Sequence, residues 1–464
     1  MKRPNILLIY TDQHRNGAMS FMAGRPGTGL AVPGAPAPAG ALTPALDALS
    51  ARGLSFANSY CPSPLCSPSR ASLVTGVMPH RAGVITNHQG LDPGVPHLGG
   101  IMREAGYETA WAGKWHVPGE YPLGRDTIPG FDNLTLPGRL TDNDGYPLRV
   151  EGKPGNWMHN LGSYVDVPVA GAATAFLKQP HDRPFLLVVS LMNPHDICFP
   201  EAYDRAGSFR DDELPPLPRN FEPPNDEAAV LLSTRYTHEG SARAARDWDD
   251  RAWRTSMALY NRFVGQVDAP IGTVLTALRD AGLEDDTVVI YTSDHGEGTA
   301  AHRWLGKLSL YEEAVTVPFI VAGPGVPGGR MDGARLVSGL DVTPTILGYA
   351  GVPVPSSMDG TNLKPLVEDA SLPGRECVFC AQYRVWKEAV EEGRMARTAR
   401  YKYLAYHPGE PAEMLFDLLE NPGEMRNLAP DPSAAGELRR HRELLRLWLD
   451  RTGDPFPFGR KDAR

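Results

Sequence analysis

The sequence predicts an α/β fold, a mostly parallel sheet flanked by helices, followed by a smaller C-terminal unit of strands closed by one helix. Three observations carry this prediction. Apolar runs at Asn5 to Tyr10, Glu108 to Ala112, Phe185 to Ser190 and Thr287 to Thr292 each empty into charged or imidazole residues, the pattern of parallel strands whose carboxyl ends share one crevice. Helical segments lie between them, among them Leu98 to Ala105 and the long amphipathic stretch from Trp253 to Ala281. The 464 residues exceed what one hydrophobic core serves, so a large domain with an appendage, or two domains, is expected.

The first run follows Met1-Lys2-Arg3-Pro4 directly and is too short to span a membrane; it is read as a fully buried strand. No signal peptide is visible and no apolar stretch reaches transmembrane length, so a soluble, cytoplasmic chain is expected. A net charge of −9 argues against nucleic acid or an anionic membrane as the general partner, and a small anionic substrate would need a local basic site. The five cysteines are odd in number and irregular in spacing, which makes no disulfide framework and suits a reducing compartment.

The segment Cys66-Ser67-Pro68-Ser69-Arg70, continuing to Gly76, reads as a nucleophile elbow. Ser67 suits an N-cap and Pro68 the first helical position, which sets Cys66 just before a helix N-terminus, where the dipole favours an anion and depresses a thiol pKa. Arg70 lies in the first turn or so and can direct its planar fork at an oxyanion held by the same helix end. Alone, the cysteine would be read as a structural one in a turn.

The whole run resembles the signature of the type I sulfatases, in the alkaline phosphatase superfamily, where a cysteine followed two residues on by Pro and four on by Arg is oxidised to formylglycine. The match extends over Leu73 to Gly76 and the preceding Phe56 to Cys61. It implies that Cys66 is converted by a formylglycine-generating enzyme. The hydrated aldehyde offers one hydroxyl to attack sulfur and a second whose collapse to carbonyl expels sulfate, an exit that a serine or thiol ester lacks. The resemblance also implies an alkaline-phosphatase-like central sheet, mixed but mostly parallel, in residues 1–374, and a small antiparallel-sheet-plus-helix subdomain in residues 375–464.

Asp12, Asp294 and His295 stand at strand ends and make a plausible set for one divalent cation, although each alone also fits a turn. The resemblance favours metal binding, with calcium the expected ion and manganese the alternative, and Gln13 as a further oxygen ligand. Many members carry Asp-Asp where this chain has Asp12-Gln13, and Asp-Asn where it has Asp294-His295. The variant pattern is similar to the choline-sulfatase and phosphonate monoester hydrolase branch.

The resemblance supplies further roles. Lys307 stands where the family holds sulfate, Lys114 where it contacts the substrate anion, His116 where it hydrogen-bonds the formylglycine hydroxyl, and His195 near the leaving-group oxygen. Metal, Arg70, Lys114 and Lys307 would clamp the ester's negative charge. Asn87, His88, His302 and Trp304 are read as substrate-pocket residues. The polar, Pro/Gly-punctuated stretches from Gly119 to Val167 and from Phe199 to Asp250 are long for loops and are read either as substrate-recognition lids or as surface insertions.

The C-terminal unit has strand-like runs at Cys377 to Gln382, Tyr401 to Tyr406 and Met414 to Asp417, and a helix with Leu438, His441, Leu445 and Leu449 at helical spacing. Cys377 and Cys380 have no second pair to complete a zinc site and are read as packing residues. The function read from all this is hydrolysis of a small anionic sulfate ester. The alternatives are phosphonate monoester or phosphodiester hydrolysis on the same clamp, and a catalytically inactive sulfatase-like binding protein.

Overall fold

The computed structural model describes residues 3–22, 41–117, 128–135, 161–198, 209–237, 240–386, 389–409 and 411–458. Its centre is an eight-stranded sheet made of β1 (Asn5–Asp12), β2 (Gly53–Tyr60), β3 (Glu108–Gly113), β4 (Asp132–Asn133), β5 (Phe185–Pro194), β6 (Thr287–Ser293), β7 (Phe319–Ala322) and β8 (Arg330–Ser338). The spatial order is β4-β3-β5-β1-β6-β7-β2-β8. All neighbours run parallel except β7, which is antiparallel to both β6 and β2. The sheet is therefore mixed but mostly parallel, as expected.

The inner strands read as unbroken apolar runs because both of their faces are covered. In β1, Ile6, Leu8 and Tyr10 face one core layer, shared with Ala71, Leu73 and Val74 of the helix Cys66–Thr75 and with Ile346 and Leu347 of the helix Val342–Ala350. Leu7 and Ile9 face the other layer, shared with Val169 and Ala173 of the helix Leu161–Leu177 and with Val267, Ile271 and Val274 of the helix Asp250–Asp280. Each fully buried Leu, Ile or Val among them stabilises by about 1.5–3 kcal/mol, so β1 is held from both sides and its polar end, Asp12, is carried to a fixed place at the sheet's carboxyl edge.

The second sheet is antiparallel, in the order β12-β11-β10-β9, from β9 (Cys377–Trp386), β10 (Ala389–Thr398), β11 (Tyr401–His407) and β12 (Glu413–Asp417). Leu438, Leu445 and Leu449 of the helix Ala435–Thr452 pack on Ala396, Tyr403 and Leu415. The opposite face packs Cys380, Met395 and Leu404 against Tyr60, Leu310 and Val315 of the larger part. Cys377 packs with the helix side and Cys380 with the other, as two residues at that spacing in a strand must.

The stretch from Gly119 to Val167 lies largely outside the described residues. Its last residues belong to the helix Leu161–Leu177, where the sequence pattern alone reads as loop. Of the stretch from Phe199 to Asp250, the described part carries the helices Ala229–Thr234 and Gly240–Ala244. Among the described residues no helix is long and apolar enough to cross a membrane, and all five cysteines are free thiols.

Candidate active site

The carboxyl ends of β1, β3, β5 and β6 converge on the first turn of the helix Cys66–Thr75, which begins at Cys66 itself. Leu65, not Ser67, occupies the N-cap position, without a side-chain cap. The expected Ser67 cap is thus corrected: its Oγ donates to the His116 carbonyl at 2.6 Å and its N–H donates to Asn87 Oδ1 at 3.0 Å. Pro68 fits the first turn because N–H groups there have no intrahelical acceptor. Ser69 Oγ donates to the Asp294 carbonyl at 2.5 Å, so one helical turn is tied to the exits of both β3 and β6.

Close backbone approach demands glycine at two of these exits. Gly113 has φ +97°, and a Cβ there would lie 2.0 Å from the Ser190 carbonyl oxygen; a Cβ on Gly296 would lie 2.2 Å from that of Glu313. Gln13 and His116 hold φ of 70° and 51° without being glycine, sparsely populated backbone of the kind that accumulates at functional sites.

Arg70 is fully buried and its guanidinium is committed to protein acceptors. Nε reaches Asp294 Oδ2 at 2.8 Å and Nη2 reaches Asp12 Oδ2 at 2.9 Å. Nη1 lies 3.2 Å from the Tyr10 hydroxyl, 3.1 Å from the Lys114 carbonyl and 3.0 Å from Ser190 Oγ. The expectation that Arg70 grips the substrate anion is replaced by a different geometry, in which it fixes the two carboxylates. Lys114 Nζ completes the grip on Asp12 Oδ2 at 2.7 Å. Burial works to raise the Asp12 pKa, but Lys114 foremost, with His195 and Arg70, holds it well below the usual carboxylate range.

Because the cations take the Oδ2 oxygens, Asp12 Oδ1 and Asp294 Oδ1 face inward, each 3.8 Å from His295 Nε2. His295 Nδ1 lies 2.9 Å from the Gly296 carbonyl, which fixes a hydrogen on Nδ1, so the neutral imidazole offers the lone pair of Nε2 toward the centre and an ion binding there displaces the Nε2 proton. One ligand atom from each of Asp12, Cys66, Asp294 and His295 lies within 4.8 Å of the others, all buried. Two hard oxygens and an imidazole at that spacing fit a divalent ion with bonds of about 2.0–2.5 Å. Burial opposes a charged His295, yet Asp294 and Cys66 raise its pKa to about 9.

Cys66 Sγ lies 3.3 Å from His295 Nε2, 3.5 Å from Lys307 Nζ and 3.8 Å from Asp12 Oδ1. Burial and Asp12 push its pKa up, but Lys307, Lys114 and His295 bring it below the ordinary thiol value. Lys307 Nζ is also 3.4 Å from both Gln13 Oε1 and His195 Nε2, and 3.7 Å from Cys198 Sγ. Burial, reinforced by Lys114 and Arg70 for His116 and by Lys307 for His195, keeps both imidazoles well below their ordinary pKa and therefore neutral.

Asn87 is half-buried beside the helix start and His88 is exposed. The Trp304 ring belongs to the apolar cluster of Tyr60, Tyr311 and Phe416, at the junction with the C-terminal sheet. Trp304 is buried in the core and donates from Nε1 to the Lys307 carbonyl at 2.8 Å, supporting that turn from behind. His302 stacks on Tyr311 at 3.8 Å and groups with Glu313 and Glu424, beside Lys402, whose ammonium pairs with Glu312 and Glu424. Both pocket assignments are corrected accordingly: the apolar runs around these residues turn them into the seam with the C-terminal sheet.

Sequence reasoning misses Tyr10, Ser190, Cys198 and Glu297. The first two sit inside recognisable strand runs, and Glu297 follows Asp294-His295-Gly296 directly, so position in or after a strand is the available signal.

The family profile described as Sulfatase matches residues 4–352. The chain belongs to the sulfatase family. A second profile, N-sulphoglucosamine sulphohydrolase, C-terminal, matches residues 300–447. The chain is 31% identical to the Delta 4,5-hexuronate-2-O-sulfatase of Bacteroides thetaiotaomicron over 90% of this chain and 86% of that one. It is 30% identical to the choline-sulfatase of Rhizobium meliloti, over 93% and 83%. Among solved structures, a 2-O GAG sulfatase superposes with TM-score 0.81 at 30% identity over 100% of this chain and 95% of that one. The phosphonate monoester hydrolase of Agrobacterium radiobacter superposes with TM-score 0.78 at 25% identity, over 97% and 96%. The sulfatase is a sulfuric ester hydrolase, and its alkaline-phosphatase-like fold is shared with hydrolases of phosphorus esters.

Proposed function

We propose that this sulfatase removes sulfate from a 2-O-sulfated, hexuronate-containing saccharide, using formylglycine made from Cys66 and one divalent ion held by Asp12, Asp294 and His295, with Gln13 beside them. The observation that carries the mechanistic part is the position of Cys66 Sγ, within 3.8 Å of an acidic ligand, an imidazole and a lysine ammonium at a helix start. The sulfur stands in for the hydroxyls of the hydrated aldehyde. The saccharide part is supported by the 2-O-sulfatase relatives at about the same identity as the choline-sulfatase.

When bound, the divalent ion supplies positive charge that stabilises the sulfate oxygens as the S–O bonds rearrange. Lys307 holds the ester's anionic oxygens from the side of His195, and Lys114, anchored on Asp12, adds charge from the side of β3. Arg70 keeps the carboxylates in place. A sulfate anion lying against both Lys307 and His195 favours the protonated imidazole, whose Nε2 then delivers its proton to the departing alcohol oxygen. His116, neutral by burial, takes the proton of the hydroxyl that re-forms the carbonyl and so releases sulfate. Calcium is the ion expected from the carboxylate oxygens, and manganese the alternative allowed by the imidazole.

The test is a kinetic comparison, on aldehyde-bearing enzyme, of a 2-O-sulfated unsaturated hexuronate disaccharide, choline sulfate, an aryl sulfate and a phosphonate monoester. The proposal expects the highest kcat/KM on the disaccharide. Higher kcat/KM on choline sulfate or on the phosphonate overturns the substrate assignment.

A further inference from the structure

From the hydrogen-bond geometry we infer that Glu297 is a positioning residue for the sulfate-holding Lys307, and that it acts by fixing the orientation of the Gln13 amide. This rests on the reading of Lys307 as an anion-holding group. Glu297 is completely buried, and its two carboxylate oxygens serve different elements. Oε2 accepts from Gln13 Nε2, at the end of β1. Oε1 accepts from the Gly306 N–H at 2.6 Å and from the Thr299 N–H at 3.3 Å. Its carboxylate thus bridges the strand that ends in Asp12 and the turn that delivers Lys307.

An amide side chain has a donor end and an acceptor end, and its surroundings decide which points where. Glu297 accepts, so the Gln13 NH2 faces it. The opposite end, Oε1, then faces Lys307 Nζ at 3.4 Å, and the Cys198 thiol donates to the same oxygen at 3.2 Å. Carboxylate and ammonium both demand this orientation, and the thiol is compatible with it. Rotating the amide by half a turn would set a carbonyl against a carboxylate and an NH2 against an ammonium, two repulsive contacts in a buried site.

The pairing also accounts for the uncharged residue after Asp12. A carboxylate at position 13 would meet the Glu297 carboxylate at hydrogen-bond distance with neither exposed to water. Gln13 therefore links the Glu297 carboxylate to Lys307 without setting two buried carboxylates against each other. The backbone is arranged around the same contact: Gln13 sits at φ 70°, its N–H donates to Asp294 Oδ1 at 3.0 Å, and its carbonyl accepts from the Tyr260 hydroxyl at 2.8 Å.

The orientation claim separates from a general structural role through a swap of partners. Glu297→Gln leaves the amide of Gln13 without its fixed acceptor, and Gln13→Glu creates the buried pair of like charges. Each single change is expected to lower kcat/KM on an aryl sulfate, per aldehyde-bearing site, and to weaken competitive inhibition by inorganic sulfate, by about 10- to 100-fold. In the double variant, Gln13→Glu with Glu297→Gln, the amide and the carboxylate exchange positions. The NH2 group then approaches from position 297 and the carboxylate at position 13 turns its other oxygen to Lys307, so recovery to within about threefold of wild type is expected. Losses that simply multiply in the double variant overturn the inference, as does a Glu297→Gln enzyme unchanged in sulfate inhibition. Gln13→Ala, which leaves no amide to orient, replaces a single variant that does not fold; an additional Glu297→Gln change on that background is expected to alter sulfate inhibition by less than about twofold, and a larger change counts against the inference. Lys307→Ala is measured alongside: if it leaves sulfate inhibition intact, the reading of Lys307 fails, whereas a damaged Lys307→Ala with an undisturbed Glu297→Gln removes only the positioning role.

Discussion

Arg70→Lys keeps the charge and removes the fork, and the site geometry makes that a severe change. The guanidinium joins Asp294 through Nε and Asp12 through Nη2 while Nη1 faces Tyr10, Ser190 and the Lys114 carbonyl. A lysine carries its donors on one atom and cannot span both carboxylates from the same place. At least two charge-assisted or buried contacts are lost, each worth about 1.5–3 kcal/mol, partly offset by the charge retained. A loss of roughly 3–5 kcal/mol follows, the size of a broken buried ion pair. Displacing either carboxylate also disturbs the ion-holding oxygens, and a defect of about 3–4 kcal/mol in the transition state corresponds to a rate loss of about 10²–10³. The assay is aryl sulfate hydrolysis, with calorimetric melting on the same samples. Because Arg70 also belongs to the sequence expected to be recognised for aldehyde formation, peptide mass analysis must give the aldehyde fraction, and turnover is expressed per aldehyde. An Arg70→Lys enzyme with turnover per aldehyde within about twofold of wild type and an unchanged melting temperature would refute the anchoring argument.

Cys66→Ser is expected to accept sulfate from an aryl ester and stall, and Cys66→Ala to do neither; intact-mass measurement shows a sulfated serine, and steady turnover by an unmodified thiol would sink the mechanism. Asp294→Ala removes an ion ligand and an Arg70 partner together, so metal analysis should show loss of the divalent ion along with turnover; full occupancy and activity contradict the assignment. Burial lowers the pKa of His14 and His302 to about 3 in the folded chain. The unfolded chain takes up protons below pH about 6.5 that these groups refuse, so stability present above that pH is lost as pH falls toward about 3, at up to roughly 1.4 kcal/mol per pH unit for each group. Urea midpoints measured between neutral and mildly acidic pH should fall, and less steeply in His302→Gln; an equal slope in that variant would count against the buried neutral imidazole.

Much of the catalytic half is legible in one dimension. β1, β3, β5 and β6 announce themselves because a strand covered on both faces must be apolar throughout, and the residues just after each run are carried to the same edge by the parallel arrangement. The segment around Cys66 and the residues Asp12, Lys114, His116, His195, Asp294, His295 and Lys307 therefore stand out from the sequence alone. Apolar content does not tell direction, which is why the reversal of β7 and the places of β2 and β8 emerge only from the folded sheet. β10 escapes notice because Glu391, Glu392, Arg394 and Arg397 give it the look of a loop. In the structure Arg394 is neutralised by Asp454 and Glu392, and Arg397 donates to the Tyr60 hydroxyl, 337 residues away in sequence. The same reason separates Lys307 from Trp304 and His302, which lie within five residues of it: the first enters the active site while the others turn into the seam with the C-terminal sheet. Periodicity and local motifs record which residues are buried and which chemistry is present. What each charged group is buried against depends on partners brought together by the fold, and only the tertiary structure decided that Arg70 holds carboxylates and that Glu297 aims the amide of Gln13.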